Sequence, residues 1–480
     1  MDIEGVKDAS EFEIFTDRPD VRRDLHLFAG YVRDRDIKRG HRDNSIGKAD
    51  ARRLAKLFSD PDAEEEVEED GYASWVDCID GLARRLGLVH YDTEGTYAGY
   101  TSREPCFPDN YIEFDALAYE NLTSMNLAAQ EKELLDSLLQ NNQGCSSEFY
   151  LPNFCGRLDH FDSRGCATGV MPLLDFTAIR RFLLDLLSQC PAGEWLSTAS
   201  LIEYLKKKHR YFLIPKKPEF KEQWDQKRGR YDNFRESPKR ESWGDYIAIN
   251  EIDADAFERV EGRYVERFLE GIPQLLGYVD VAYAKRRPKG VFPPLGFLPA
   301  FRVSERLQRA LQGKIAEPTL RVTATFEVYV QSEMYSARLL RDLAPICELV
   351  SEDTTTVFRL DRQKVAAACA ADPRLDVTHL LESLSIDSLP ANVHRELADW
   401  SAHSEKFILY SVCSLLETDG QEAEVEHYRV ENIVRGIDIV RSPESLYAAL
   451  EKQQLAPLRI KHNEESLSPL PANSRSAFPR

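Results

Sequence analysis

The chain has 480 residues, of which 42% are hydrophobic, 30% charged and 10% aromatic, a composition that fills cores and excludes a disordered or fibrous protein. Lys and Arg number 62 against 81 Asp and Glu, a formal net charge of −19, so the molecule as a whole repels nucleic acid and anionic membranes. No apolar run approaches the roughly 18 residues of a membrane-spanning helix, and the length leaves room for several domains.

The acidic start MDIEGVKDASEFEIF lacks the basic-then-apolar order of a secretory leader. Nine cysteines without a C-x-x-C pair suit reduced thiols, so the expected location is cytoplasmic. Residues 18–56 hold 12 Lys and Arg against 6 Asp and Glu. Arg33, Arg35, Lys38, Arg39, Arg42, Lys48, Arg52 and Arg53 alternate there with Asp34, Asp36, Asp43 and Asp50. Mixed signs cancel beyond a Debye length of about 10 Å, so a salt-bridged surface is expected. Residues 60–70 carry eight acids and no base and read as a solvated acidic linker.

Leu54, Leu57 and Phe58 share a helical face, and Trp75, Ile79, Leu82 and Leu86 repeat at helical spacing. Residues 87–91 and 97–100 read as two strands paired around a turn at 92–95. Helix, helix and hairpin make 1–170 a winged-helix-like region. Near its end Cys145, Cys155, His160 and Cys166 offer sulfur and imidazole for zinc, but the irregular spacing, without a close cysteine pair, favours ordinary thiols and no metal.

The region 171–318 is patterned more clearly. Ile179, Phe182, Leu183, Leu186 and Leu187 make an amphipathic helix stopped by Pro191-Ala192-Gly193. Ser197 or Thr198 caps a second helix through 208, with Leu201, Ile202 and Leu205 on its apolar face. Tyr264, Phe268 and Ile272 mark a third. Residues 277–281 and 300–303 then read as a strand and its return partner. Three helices closed by a hairpin describe a winged helix, enlarged by an insertion near 215–255.

In 319–461 helix and strand alternate. Val322, Ala324, Phe326, Val328 and Val330 have period two, the mark of one half-buried strand through 331. Leu339, Leu340, Leu343, Ile346 and Val350 are expected on one helix. A strand at 356–360, helices at 362–370 and 377–384, a helix lined by Val393, Leu397 and Trp400, and a strand at 407–415 follow. The Pro- and Ser-rich stretch 462–480 reads as a tail. The fold class is therefore α/β (α+β) and multidomain.

The stretch from Phe326 to Trp400 resembles the N-terminal domain of XPB-type DNA helicases, which bacterial helicase-associated proteins also carry. Its most specific piece is Leu389-Pro390-Ala391-Asn392-Val393 followed by Trp400, which looks like the family's signature; LAPICELV at 343–350 and Phe358-Arg359-Leu360 are also similar. The resemblance covers residues about 320–415 and implies a docking role. In the family this domain sits beside the motor and contacts partners, and in the TFIIH assembly it pairs with a similar module on a small subunit. Asn392 and Trp400 would then hold the partner. The motor itself is missing, because no G-x-x-x-x-G-K-[ST] phosphate loop occurs anywhere in the chain.

Residues 206–240 hold 13 bases against 5 acids, with Tyr211, Phe212, Phe220, Trp224, Tyr231 and Phe234 interleaved. Lys206, Lys207, Lys208, Arg210, Lys216, Lys217, Lys227, Arg228 and Arg230 would neutralise phosphates while exposed rings stack on bases. Lys285, Arg286, Arg287 and Lys289 at the tip of the second hairpin would add backbone contacts. The alternative is a solubilising loop anchored by its aromatics. No nucleophile sits in a recognisable context and no cofactor is implied. The function expected is a non-catalytic subunit or adaptor of a nucleoprotein complex. It would bind DNA nonspecifically and dock a separate helicase or nuclease, in prokaryotic repair or anti-phage defence. The competing readings are a metal-dependent nuclease using Glu219 and Lys221, and a protein scaffold that never touches DNA.

Overall fold

The computed structural model of the chain describes residues 3–6, 9–16, 18–97, 104–140, 148, 172–220, 229–231, 234–236, 247–284, 296–352, 356–372, 374–404, 413–417, 423–434 and 436–452. The chain divides into two compact units, Met1–Ala398 and Asp399–Arg480. Both are mixed α and β, and the sequence-based divisions at 170 and 318 fall inside the first.

The first unit opens with β1 (Phe12–Phe15) and α1 (Val21–Arg33), whose N-cap Asp20 accepts from the amides of Arg22 and Arg23. Next come β2 (Ile37–Lys38), α2 (Lys48–Leu57), α3 (Ala63–Glu69) and α4 (Ser74–Arg85). The acidic run is thus not a linker. Ala63 and Val67, four apart, are fully buried and dock α3, while Glu64, Glu65 and Glu66 occupy its first turn, where the helix dipole favours acids. On α2, Leu54 is buried but Leu57 is 44% exposed, so the expected three-residue face is narrower.

Strands β3 (Val89–His90), β4 (Thr96–Tyr97), β5 (Pro105–Cys106) and β6 (Tyr111–Phe114) follow. Of the expected pairing of 87–91 with 97–100, residues 98–100 lie outside the described residues; among the described ones β3 pairs with β6, and Tyr97, on β4, pairs with β5 instead. The Asp92 carboxylate accepts the amides of Glu94 and Gly95, a local turn that sends the chain away from β3. Helices α5 (Ala116–Ser124) and α6 (Leu127–Leu139) complete this part.

The middle of the unit contains α7 (Phe176–Leu187), β7 (Trp195–Ser197), α8 (Thr198–Lys208), β8 (Arg235–Glu236) and β9 (Ile247–Ala248). A π-helical turn at Glu258–Gly262 leads into α9 (Arg263–Leu269) and α10 (Ile272–Leu275), then β10 (Val279–Ala284), β11 (Ala300–Val303) and α11 (Glu305–Leu311). One antiparallel sheet, in the order β1-β10-β11-β7, joins the N-terminal strand to this region. A continuous apolar core runs from Val21 to Leu307.

A buried ionic cluster crosses the same seam. Arg22 of α1 donates from Nε to Glu131 of α6 at 2.8 Å, and the Tyr278 hydroxyl donates to the other carboxylate oxygen at 2.7 Å. Arg306 of α11 lies 3.6 Å from the same carboxylate and donates to the Glu333 carbonyl at 2.8 Å.

The rest of the unit holds β12 (Thr319–Val322), β13 (Glu327–Gln331), α12 (Ala337–Leu343), β14 (Cys347–Glu352) and β15 (Thr356–Leu360). Helices α13 (Arg362–Ala371), α14 (Val377–Leu384) and α15 (Ala391–Ser404) follow; the last residues of α15 belong to the second unit. The sheet order is β12-β13-β15-β14. The single strand expected over 322–331 is in fact a hairpin. Thr323 and Glu327 close its loop, Phe326 adopts φ of 66°, and Val322 pairs with Val328. Both arms keep period two, so the alternation hides the turn. The helix expected to include Val350 ends at Leu343, and Val350 lies on β14, 49% exposed.

In the second unit β16 (Cys413–Glu417), α16 (Ala423–Tyr428), β17 (Arg429–Val434), β18 (Ile437–Arg441) and α17 (Pro443–Lys452) form a three-stranded sheet, order β16-β18-β17. Val440 of the sheet packs with Leu446 and Leu450 of α17.

Candidate nucleic-acid interface

Helix α8 starts where the Ser197 hydroxyl accepts the Ser200 amide and buries Leu201, Ile202 and Leu205. Its last turn carries Lys206, Lys207 and Lys208, cations that suit the negative end of the helix dipole. Lys206 is engaged inward, 2.6 Å from Glu258, and also donates to the Ala254 carbonyl. Lys207 pairs with Glu203 one turn earlier, both on the surface, a contact of small energy. Lys208, Arg210, Lys216 and Lys217 are exposed, and none forms an ion pair among the described residues.

Aromatic rings lie in the same segment and pack against it. Phe182 meets His209 at 5.1 Å and Phe212 at 5.9 Å, and Tyr204 lies 5.8 Å from His209; all four are half-buried. Tyr211 is 46% exposed. Phe220, Tyr231 and Phe234, expected among the stacking rings, are buried and serve as apolar anchors instead. Trp224, Lys227, Arg228, Lys285, Arg286, Arg287 and Lys289 lie outside the described residues, as do Cys145, Cys155, His160, Cys166 and Lys221.

Arg230 is corrected outright. Its side chain is 1% exposed and cannot meet a phosphate. It donates to the carbonyls of Ile214 at 2.9 Å and Arg210 at 3.0 Å and pairs with Glu261 of the π-helical turn. The Tyr231 hydroxyl also donates to that carboxylate at 2.7 Å. The guanidinium carbon lies 4.6 Å from the centre of the Tyr231 ring and 5.0 Å from that of Tyr211. A planar fork of five donors can serve two carbonyls, the Tyr231 hydroxyl and a carboxylate together, one acceptor more than the three N–H groups of an ammonium. Arg230 therefore pins the basic loop 209–217 to the body. Spacing along the chain gives no hint of this, because Glu261 lies 31 positions away.

The third helix of this region offers little to a groove, since Arg263 is half-buried and every residue from 264 to 279 is buried. It does concentrate carboxylates. Burial pushes Glu261, Glu266 and Glu270 up to about 7, against which Arg230 works at Glu261, the Gly296 amide at Glu266, and Arg267 at Glu270. A carboxyl raised in the folded state binds its proton there more tightly than in the unfolded chain. Its contribution is full below the unfolded value of 4.5 and is lost as pH rises through about 7. The thermal midpoint should therefore fall by a few degrees between pH 5 and 8, and Glu270→Gln should flatten that slope; an unchanged slope would refute the assignment.

The two expected partner residues are occupied locally. Asn392 donates to the Ala324 carbonyl at 2.8 Å, tying the start of α15 to the β12–β13 hairpin. Trp400 is only 7% exposed, so it is a packing residue rather than a surface anchor. Sequence reading missed the edge strand β14, which exposes Leu349 and Val350 beside a bulge; the place of Val350 in an apolar helical pattern masked it.

Glu219 is exposed, and its carbonyl accepts the Leu173 amide at 2.7 Å. Among the described residues no three His, Cys, Asp or Glu side chains are placed to share a metal ion, and no helix is long and apolar enough to cross a membrane. In comparisons with known proteins, no family model matches the chain, and no curated protein matches it either.

Proposed function

We propose that this chain is a non-catalytic adaptor. It holds nucleic acid through phosphate contacts at the C-terminal end of α8 and docks a protein partner, such as a separate helicase or nuclease, at the β12–β15 sheet. The observation that carries the reading is the group Lys208, Arg210, Lys216 and Lys217: four exposed cations without carboxylate partners among the described residues, on a chain whose net charge is −19. Local positive charge exposed on an acidic body, with no carboxylate partner among the described residues, has a use in binding phosphate. The order α7, β7, α8, α9, β10, β11, interrupted by β8, β9 and the π-helical turn before α9 and by α10 after it, with β11 between β7 and β10, supports an enlarged winged helix. The buried α9 argues that this winged helix works through its α8 end rather than by groove insertion. The resemblance to the XPB-type domain supports docking, with Leu349 and Val350 on the β14 edge as the available apolar contacts. The absence of a phosphate loop from the sequence supports a binding role over a motor.

A salt-titrated gel shift tests the first part. Four phosphate contacts imply that affinity falls roughly 50- to 150-fold between about 50 and 200 mM salt. Each Lys→Ala change at 208, 216 or 217 should reduce the logarithmic slope by about one. No salt-sensitive retention, or full retention by the variant lacking all four charges, would overturn the reading. Mg²⁺-dependent cleavage abolished by Glu219→Ala would replace it with a nuclease.

A further inference from the structure

We infer that the nucleic acid held at this site is single-stranded. The inference rests on the phosphate-binding reading above and narrows its substrate class. Reading a duplex through the major groove needs a projecting helix or ribbon, and α9 has no exposed member: Arg263 is half-buried and residues 264–279 are buried. The site instead presents an exposed ring among cations. Lys208 and Arg210 precede Tyr211, and Lys216 and Lys217 follow it within one loop.

Tyr211 is 46% exposed although it lies 5.0 Å from the buried Arg230 guanidinium. It therefore stands on a fixed support and still offers much of its ring to solvent. Phe182, Tyr204, His209 and Phe212, half-buried and in mutual contact, back the same loop. Every base has a flat face that stacks on such a ring without sequence preference, but only an unpaired base can leave its neighbours to do so. In a duplex the faces are already stacked, and Tyr211 would gain nothing beyond the phosphate contacts.

The test is fluorescence anisotropy on the full chain at fixed salt, using labelled oligothymidine and oligouridine of about 20 nucleotides and a duplex of equal length. The expected result is at least a tenfold preference for single strands of either sugar. Tyr211→Ala should weaken single-strand binding roughly 5- to 100-fold with the salt slope unchanged, and Tyr211→Phe should retain it. Tyr211→Leu covers Arg230 without a flat ring, so it should weaken binding as Ala does while the melting temperature stays put. Equal affinity for duplex, or full single-strand binding by Tyr211→Leu, would overturn the inference and leave the phosphate-binding reading standing. Failure to bind any of the three probes would overturn both.

Discussion

Replacing Glu131 by alanine should cost the first unit roughly 3–5 kcal/mol, the usual penalty for removing one partner of a buried ion pair. The carboxylate is 1% exposed and serves Arg22, Tyr278 and Arg306 together. Burial opposes its ionisation, but the two arginines overcome this and hold the carboxyl below its ordinary value. Without it, two guanidinium groups face each other in a covered seam where neither reaches water freely. The loss is amplified because the cluster joins α1, α6 and α11, elements far apart in sequence. Glu131→Gln keeps the shape and removes the charge, so it should fall between the native chain and alanine. Thermal and denaturant unfolding measure this, and a deficit below about 1 kcal/mol for alanine would show that the cluster is not what joins these elements. Because the Glu131 carboxyl is depressed, its contribution is present above the unfolded value and declines as pH falls through the folded one, opposite to the three glutamates of the 261–270 segment.

Arg230→Ala should be comparably damaging, again roughly 3–5 kcal/mol, because Glu261 would remain fully buried without its guanidinium partner. Here the deficit should itself depend on pH. At pH 6 Glu261 can take up a proton and shed its charge, whereas at pH 8 it must be buried charged or the segment must open, so the variant should look worse at the higher pH. The change also releases the carbonyls of Arg210 and Ile214, so the basic loop loses its fixed course and nucleic-acid affinity should drop along with stability. Arg230→Lys should not rescue either property, since the three N–H groups of an ammonium cannot serve both carbonyls, the Tyr231 hydroxyl and the carboxylate together. Unfolding curves at the two pH values, read beside the gel shift, check both halves; a variant as stable and as retentive as the native chain would contradict the role assigned to Arg230.

The elements legible in the sequence were those whose core face follows helical spacing or whose strands stand alone. Helices α4, α7 and α8 and the β10–β11 hairpin fall close to where their apolar spacing places them. The readings that failed did so where two structures share one pattern. Alternation continues through the Phe326 turn because a hairpin preserves it on both arms, and a left-handed phenylalanine carries no glycine to announce itself. The acidic run was misjudged because two small apolar residues four apart are enough to dock a short helix. Of the candidate site, the exposed lysines were readable from charge alone. The clamp beneath them was not, because Arg230 and Glu261 meet only through folding, as do Arg22 and Glu131, which are 109 positions apart.

The unbroken burial of residues 264–279 also bears on how the molecule opens. Amide protons there have no route to solvent except through disruption of the core that surrounds them, so they exchange with deuterium only when the first unit opens broadly. A protease site engineered into this stretch would stay silent in the intact chain, and cutting would report unfolding itself rather than local fraying.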